Sequence, residues 1–127
     1  MPTVPTRLSP HFHLAEFATN SGILPPPDCV EALRRLCVVY LEPVRKRYGV
    51  CRVTSGYRTE AHNRAVGGAK NSRHVYDRHP TSPAADVRFA SGTPVEWARA
   101  LDKLGVGGLG VYRSHVHVDA RASRARW

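Results

Sequence analysis

The sequence predicts an α+β domain, with a small antiparallel sheet and helices packed on one side of it. Three observations carry that expectation: two amphipathic helical stretches, short β-branched or alternating segments interleaved with them, and glycine or proline at most junctions. A length of 127 residues, 42% of them hydrophobic and 23% charged, suits one hydrophobic core. That composition excludes a disordered or collagen-like chain and predicts a single domain over residues 1–127.

The elements follow in order. His11, His13 and Phe17 around Leu14-Ala15-Glu16 predict an N-terminal turn packed on the core. Pro25-Pro26-Pro27 breaks the chain ahead of a helix from Asp28 to about Tyr48, with Val30, Leu33, Leu36, Cys37, Tyr40, Leu41 and Val44 at helical spacing. Pro43 should kink that helix near Val39–Leu41, and Gly49 ends it. Cys51 to Ser55 reads as a strand running into a turn at Gly56. Thr59 then caps a brief helix reaching Val66. Tyr76 to Pro83 is a loop, and Ala84 to Phe89 a strand. Thr93-Pro94 with Glu96 opens the second amphipathic helix, with Val95, Ala98, Leu101 and Leu104 as its inward stripe and Gly105 at its end. Gly107, Gly108 and Gly110 lead into Val111-Tyr112, and His115 to Asp119 alternate, giving a final hairpin. The order is α, β, α, β, α, β, β.

Lysine and arginine number 19 against 10 acids, a net charge of +9 that implies a polyanionic partner. Nucleic acid, anionic lipid and bacterial wall polymers all qualify. No recognised nucleic-acid motif or aromatic ladder accompanies the charge, so no specific nucleic-acid partner is expected. No run approaches the ~18 apolar residues of a membrane span, and Met1 to Thr6 lack the basic-then-apolar layout of a secretory signal. Neither membrane insertion nor self-export is expected. Cys29, Cys37 and Cys51 form neither an even set nor a Cys-x-x-Cys pair, which predicts buried thiols. Arg121, Arg124 and Arg126 read as a solvated basic tail, and His62 as structural.

Four of the seven histidines cluster with acids: His74 and His79 before Asp86, His115 and His117 before Asp119. Imidazole and carboxylate are zinc ligands, and a catalytic site keeps three protein ligands with a fourth position open. In a strand, residues two apart share a face, so His115 and His117 project together. The same alternation also suits two polar residues on a solvated strand face.

Ser55-Gly56-Tyr57-Arg58-Thr59, Asn63-Arg64-Ala65-Val66-Gly67-Gly68-Ala69, Ser72-Arg73-His74, Ala84-Ala85-Asp86-Val87, Gly108-Leu109-Gly110-Val111-Tyr112 and His115-Val116-His117-Val118-Asp119 occur in that order. Together they resemble the zinc D-alanyl-D-alanine carboxypeptidases and murein endopeptidases, whose fold is shared with the hedgehog signalling domain. The resemblance runs from about Leu8 to Trp127. It implies Zn2+ on His74, Asp86 and His117, and hydrolysis of peptidoglycan stem peptides by a metal-activated water. It also implies Arg58 as the residue holding the substrate or its developing oxyanion, a task suited to a permanently charged guanidinium. Ser72 and Tyr112 are implied as further substrate contacts, although a loop serine also serves as a turn former.

Two departures from the family pattern stand out. His74 precedes Asp86 by twelve residues, more than the family spacing, as though residues were inserted within Asp77–Pro83. His79, seven before Asp86, is therefore a rival ligand, but the Ser-x-His context belongs to His74. Many relatives carry a carboxylate shortly before the last histidine, whereas positions 111–114 here are Val, Tyr, Arg and Ser. The candidates for the base are then His115 and Asp119, and Asp119 has the alternative of orienting His117. The resemblance implies action at the bacterial cell wall, and the missing signal fits delivery as a phage lysis protein or virion component, with other tail or lysis proteins as partners. A rival expectation is a non-catalytic, zinc-stapled wall-binding module.

Overall fold

The computed structural model describes residues 7–127; Met1–Thr6, read above for their lack of a signal layout, lie outside the described residues. Strands β1 (Arg7–Ser9) and β2 (Phe12–His13) pair antiparallel, and a 3-10 turn over Leu14–Phe17 buries Leu14 and Phe17 against the core, as expected. Next come α1 (Val30–Arg35), a π-helical run over Leu36–Leu41, and α2 (Glu42–Tyr48). The remaining elements are β3 (Cys51–Ser55), α3 (Glu60–Ala65), β4 (Ala84–Phe89), α4 (Pro94–Lys103), β5 (Gly108–Val111), β6 (Val116–Asp119) and β7 (Ala125–Arg126).

The long helical stretch buries all seven apolar residues that its spacing singled out. The disturbance expected from Pro43 takes the form of a widened turn, in which Glu42 N–H bonds the Cys37 carbonyl five residues back. A proline ring clashes with the carbonyl four residues before it, and a π turn relieves that clash without ending the helix. Gly49 follows at φ 89°, a conformation open to glycine, and closes α2. Thr59 and Thr93 cap α3 and α4 through their side-chain oxygens.

The inward stripe of α4 differs from the sequence expectation. Trp97, Ala98 and Leu101 are buried, whereas Val95 is 51% and Leu104 40% exposed. Trp97 takes the inward position because its indole offers the larger apolar surface, packing 5.4 Å from Phe89 while Nε1 donates to the Ser91 carbonyl at 2.7 Å.

The main sheet has the order β3-β4-β6-β5-β7. Its first four strands are antiparallel, but β7 pairs parallel with β5, so the sheet is mixed rather than purely antiparallel. The expected solvated tail is thus partly structural. Arg124 and Arg126 both reach Asp102 on α4, and Arg126 also donates to the Val106 and Gly107 carbonyls, which fastens β7 to the sheet edge.

Strand parity gives the sheet two unlike faces. Ala85, Val87 and Phe89 of β4, Val116 and Val118 of β6 and Leu109 of β5 join the same core as Leu33, Leu41 and Leu101 of the helices. The alternate residues, Asp86 on β4, His117 and Asp119 on β6, and Gly108 and Gly110 on β5, lie on the opposite face. The three cysteines are free and buried, as expected. Burial pushes the Cys29 thiol up to about 12.

Candidate metal centre

The ladder between β4 and β6 pairs Asp86 directly with His117. Asp86 Oδ1 lies 3.3 Å from His117 Nδ1 and 3.4 Å from His74 Nε2. His74 comes from the irregular segment between α3 and β4, and its backbone is fixed from two sides. Its carbonyl accepts from Arg58 N–H at 2.8 Å, and its N–H donates to Ser72 Oγ at 3.2 Å.

Each imidazole is oriented by a bond on its far nitrogen. His74 Nδ1 lies 2.8 Å from the Gly56 carbonyl, which can only accept, so Nδ1 carries the proton and the Nε2 lone pair faces Asp86. Gly56 is itself set by close packing, because a Cβ there would overlap the Phe17 backbone, and Tyr57 N–H bonds the Phe17 carbonyl at 2.8 Å. On the other side His117 Nε2 meets Asp119 Oδ2 at 2.9 Å, which leaves the Nδ1 lone pair directed at Asp86. Asp119 is fully buried and held by Arg121, whose Nε and Nη2 donate at 2.8 and 2.7 Å and whose backbone N–H donates at 3.1 Å.

The three donor atoms lie within 4.8 Å of one another. Four tetrahedral ligands at zinc bond lengths of ~2.0–2.1 Å stand ~3.3–3.4 Å apart, which is the spacing of Asp86 from each histidine. Two imidazole lone pairs and one carboxylate oxygen, each backed by an outer hydrogen bond, fit zinc. Burial alone would raise Asp86, but its interactions with the His117 and His74 rings outweigh burial and hold the carboxyl well below the usual range. Asp119 is held low in the same way, by His117 and Arg121 against burial. His117 is raised, since the hydrogen bond to Asp119 and the nearby charges of Asp119 and Asp86 overcome the effect of burial.

The donor set floors a cleft of about 420 Å³, into which Arg58, Ser72, Tyr112, His115 and Trp127 also project as lining residues. Arg58 Nη2 lies 3.3 Å from Ser55 Oγ. Ser72 lines the cleft, and its Oγ accepts from His74 N–H in the turn before that ligand. His115 Nε2 stands 3.9 Å from Asp86 Oδ2, and its ring stacks on Tyr112 with centroids 4.6 Å apart. Tyr112 OH in turn accepts from Trp127 Nε1 at 2.8 Å.

Asp119, expected among the catalytic groups, stands elsewhere. It is behind the His117 ring, on the side away from Asp86, with both oxygens engaged, and its position is that of the alternative, orienting His117. His79 is outside the donor set, on a run of turns between Tyr76 and Pro83, with a buried Nε2 that has no hydrogen-bond partner. Burial and the nearby Arg73 charge lower its pKa.

Sequence reasoning missed Trp127 and Arg121 as parts of this site. Trp127 packs 4.8 Å from His117, and Arg121 stacks over its indole at 5.3 Å. The available signal was the Gly-x-Gly at Gly108 and Gly110. A Cβ at Gly108 would overlap the Asp119 carboxylate, and one at Gly110 would overlap the Trp127 indole. Residues 10–119 match the family model described as Peptidase M15. No curated protein matches the chain significantly.

Proposed function

The chain belongs to the peptidase M15 family, a family of zinc-dependent metallopeptidases, and on that premise we propose that it hydrolyses amide bonds in peptidoglycan stem peptides, as a D-alanyl-D-alanine carboxypeptidase or a murein endopeptidase. The observation that carries this reading is the convergence of His74, Asp86 and His117 in the floor of an open cleft, with Arg58 and His115 beside them.

His74 Nε2, Asp86 Oδ1 and His117 Nδ1 would hold zinc, and the chemistry supplied there when it is bound is Lewis acidity toward the scissile carbonyl and the attacking water. The remaining work falls to the chain's own residues. His115 takes the proton of the water at Nε2 as oxygen attacks the amide carbon, and returns it to the departing nitrogen as the C–N bond breaks. Arg58 holds a substrate carboxylate or the developing oxyanion with its guanidinium fork. Asp119 and the Gly56 carbonyl keep the two imidazoles in the ligating tautomer, while Tyr112 and Trp127 wall the cleft. The +9 charge favours approach to an anionic cell wall. Delivery by a phage, as lysis protein or virion component, belongs to the same reading and is tested by mass spectrometry of purified particles.

Release of fragments from purified murein, abolished by a chelator and restored by zinc, is the expected result. Release that persists after chelation, or none with zinc restored, would sink the reading. One observation favours a second reading, a zinc-stapled wall-binding module without turnover: positions 111–114 hold no carboxylate, and Asp119 is committed to His117 and Arg121. Murein binding without release selects that alternative.

A further inference from the structure

Next to the cleft, and sharing Asn71 with it, lies a second cavity of about 410 Å³. Its walls come from Glu60, Asn63 and Arg64 on α3 and from Lys70, Asn71 and Arg78 on the segment that carries His74. Three cations therefore face one carboxylate. Arg78 pairs with Glu60 at 2.5 Å and donates to the Lys70 carbonyl at 3.3 Å. Arg64 and Lys70 have no carboxylate partner among the described residues.

Two further features make this more than a charged surface. Asn63 is only 4% exposed, and although its Nδ2 donates to the Ala69 carbonyl at 2.9 Å, its Oδ1 has no partner. That oxygen is enclosed against Gly68, where a Cβ would overlap it, so the cavity floor is closely packed and ligand contacts fall to the cations around it. The Asp77–Pro83 segment, which lengthens the spacing from His74 to Asp86, is also fixed in place. Tyr57 OH bonds Asp77 at 2.9 Å, so Arg78 is held across the cavity mouth on α3. A volume of this size suits a small ligand group rather than a lone ion.

We propose that this cavity is an anion-binding subsite of the cleft, taking a free carboxylate of the peptide substrate on Arg64 and Lys70. The substrate proposed for the adjoining cleft selects the anion. The γ-linked D-glutamate of a stem peptide carries a free α-carboxylate on the same chain as the bond to be cleaved. The inference rests on the reading of the substrate as a stem peptide, and it adds a determinant of which stem peptides are preferred.

The test uses the zinc-loaded full chain and two stem peptides that differ only in that α-carboxylate, free in one and amidated in the other. Both hydrolysis and equilibrium binding are measured. The free acid should have a KM and a Kd about fivefold lower than the amide, equivalent to about 1 kcal/mol, with the same kcat. The preference should fade as salt rises and vanish in Arg64→Ala/Lys70→Ala. Equal handling of acid and amide by the unmodified chain overturns the subsite even when both are hydrolysed, and leaves the peptidase reading intact. Acid preference in Kd, lost in the double variant, with neither peptide hydrolysed, sinks the peptidase reading and supports the subsite. A double variant that weakens acid and amide equally reports damaged packing and overturns the inference.

Discussion

Asp86 and His117 stand directly opposite each other across the β4–β6 ladder, with Oδ1 and Nδ1 3.3 Å apart. Two of the three donors are therefore placed by neighbouring strands and only His74 by an irregular segment. A site held on regular elements keeps its geometry better than one built on loops. The weak point of the centre is accordingly His74 and what fixes it.

Removing His74 should abolish zinc retention. His74→Ala loses one of three donors, whereas His79→Ala touches none of them and should keep zinc bound, as read by metal content after gel filtration. Zinc lost on changing His79 and kept on changing His74 would show that the shorter family spacing, and not the Ser-x-His context, marks the ligand.

Asp119→Asn should weaken zinc binding by about 10–100-fold, because the charge that fixes the His117 tautomer is gone while its shape remains. Competition with a chromophoric chelator measures this. Unchanged affinity would mean that the imidazole is oriented without its carboxylate partner.

His115→Gln should lower kcat for stem-peptide hydrolysis by about 10²–10⁴ with zinc content unchanged, the cost of losing a positioned proton carrier. Activity close to that of the unmodified chain would assign the proton to another group.

Gly108→Ala places a methyl group against the Asp119 carboxylate, which cannot retreat because His117 and Arg121 hold it. A loss of about 2–3 kcal/mol in urea denaturation is expected, together with weaker zinc binding. Gly67→Ala meets open space but sits at φ 69°, so its cost should be about 1 kcal/mol, with zinc binding untouched. Equal penalties at the two glycines would dismiss the overlap.

Glu42 accepts from Ser9 Oγ, His11 N–H and His11 Nδ1, which ties the β1–β2 hairpin to α2. Burial acts to raise its pKa, but these bonds prevail and hold it below the usual glutamate value. A carboxyl depressed on folding stabilises fully above its unfolded pKa and loses that contribution as pH falls through the folded value. Glu42→Gln should therefore cost about 1–2 kcal/mol at pH 7 and progressively less as pH falls below the ordinary glutamate range. A constant difference in chemical denaturation from pH 7 to pH 3 would contradict this account.

Much of the fold was legible because its signals are local. Thr59 and Thr93 announce helix starts, Gly49 and Gly105 helix ends, and the alternation in Ala84–Phe89 a strand with one buried face. What escaped depends on contacts between distant parts of the chain. No pattern near Ala125-Arg126 marks β7, since two residues become a strand only because Gly107 and Leu109 offer a free sheet edge and Asp102 holds Arg126. The preference for Trp97 over Val95 on α4 depends on Phe89 and the Ser91 carbonyl. The motifs brought out His74, Asp86 and His117 as a donor set, yet could not choose between the two parts open to Asp119. That choice needed the direction of the His117 ring, which strand parity leaves free.

The unlike faces of the sheet have a consequence for folding. A slip of one residue between β4 and β6 would turn Val116 and Val118 outward and carry His117 away from Asp86. Hydrophobic burial penalises that slip, and metal binding adds a second penalty, since only the native pairing presents two donors to one ion. Zinc affinity is thus a gauge of strand alignment, and metal present during refolding acts as a proofreader, retaining correctly aligned sheets and leaving misaligned ones free to unfold and try again.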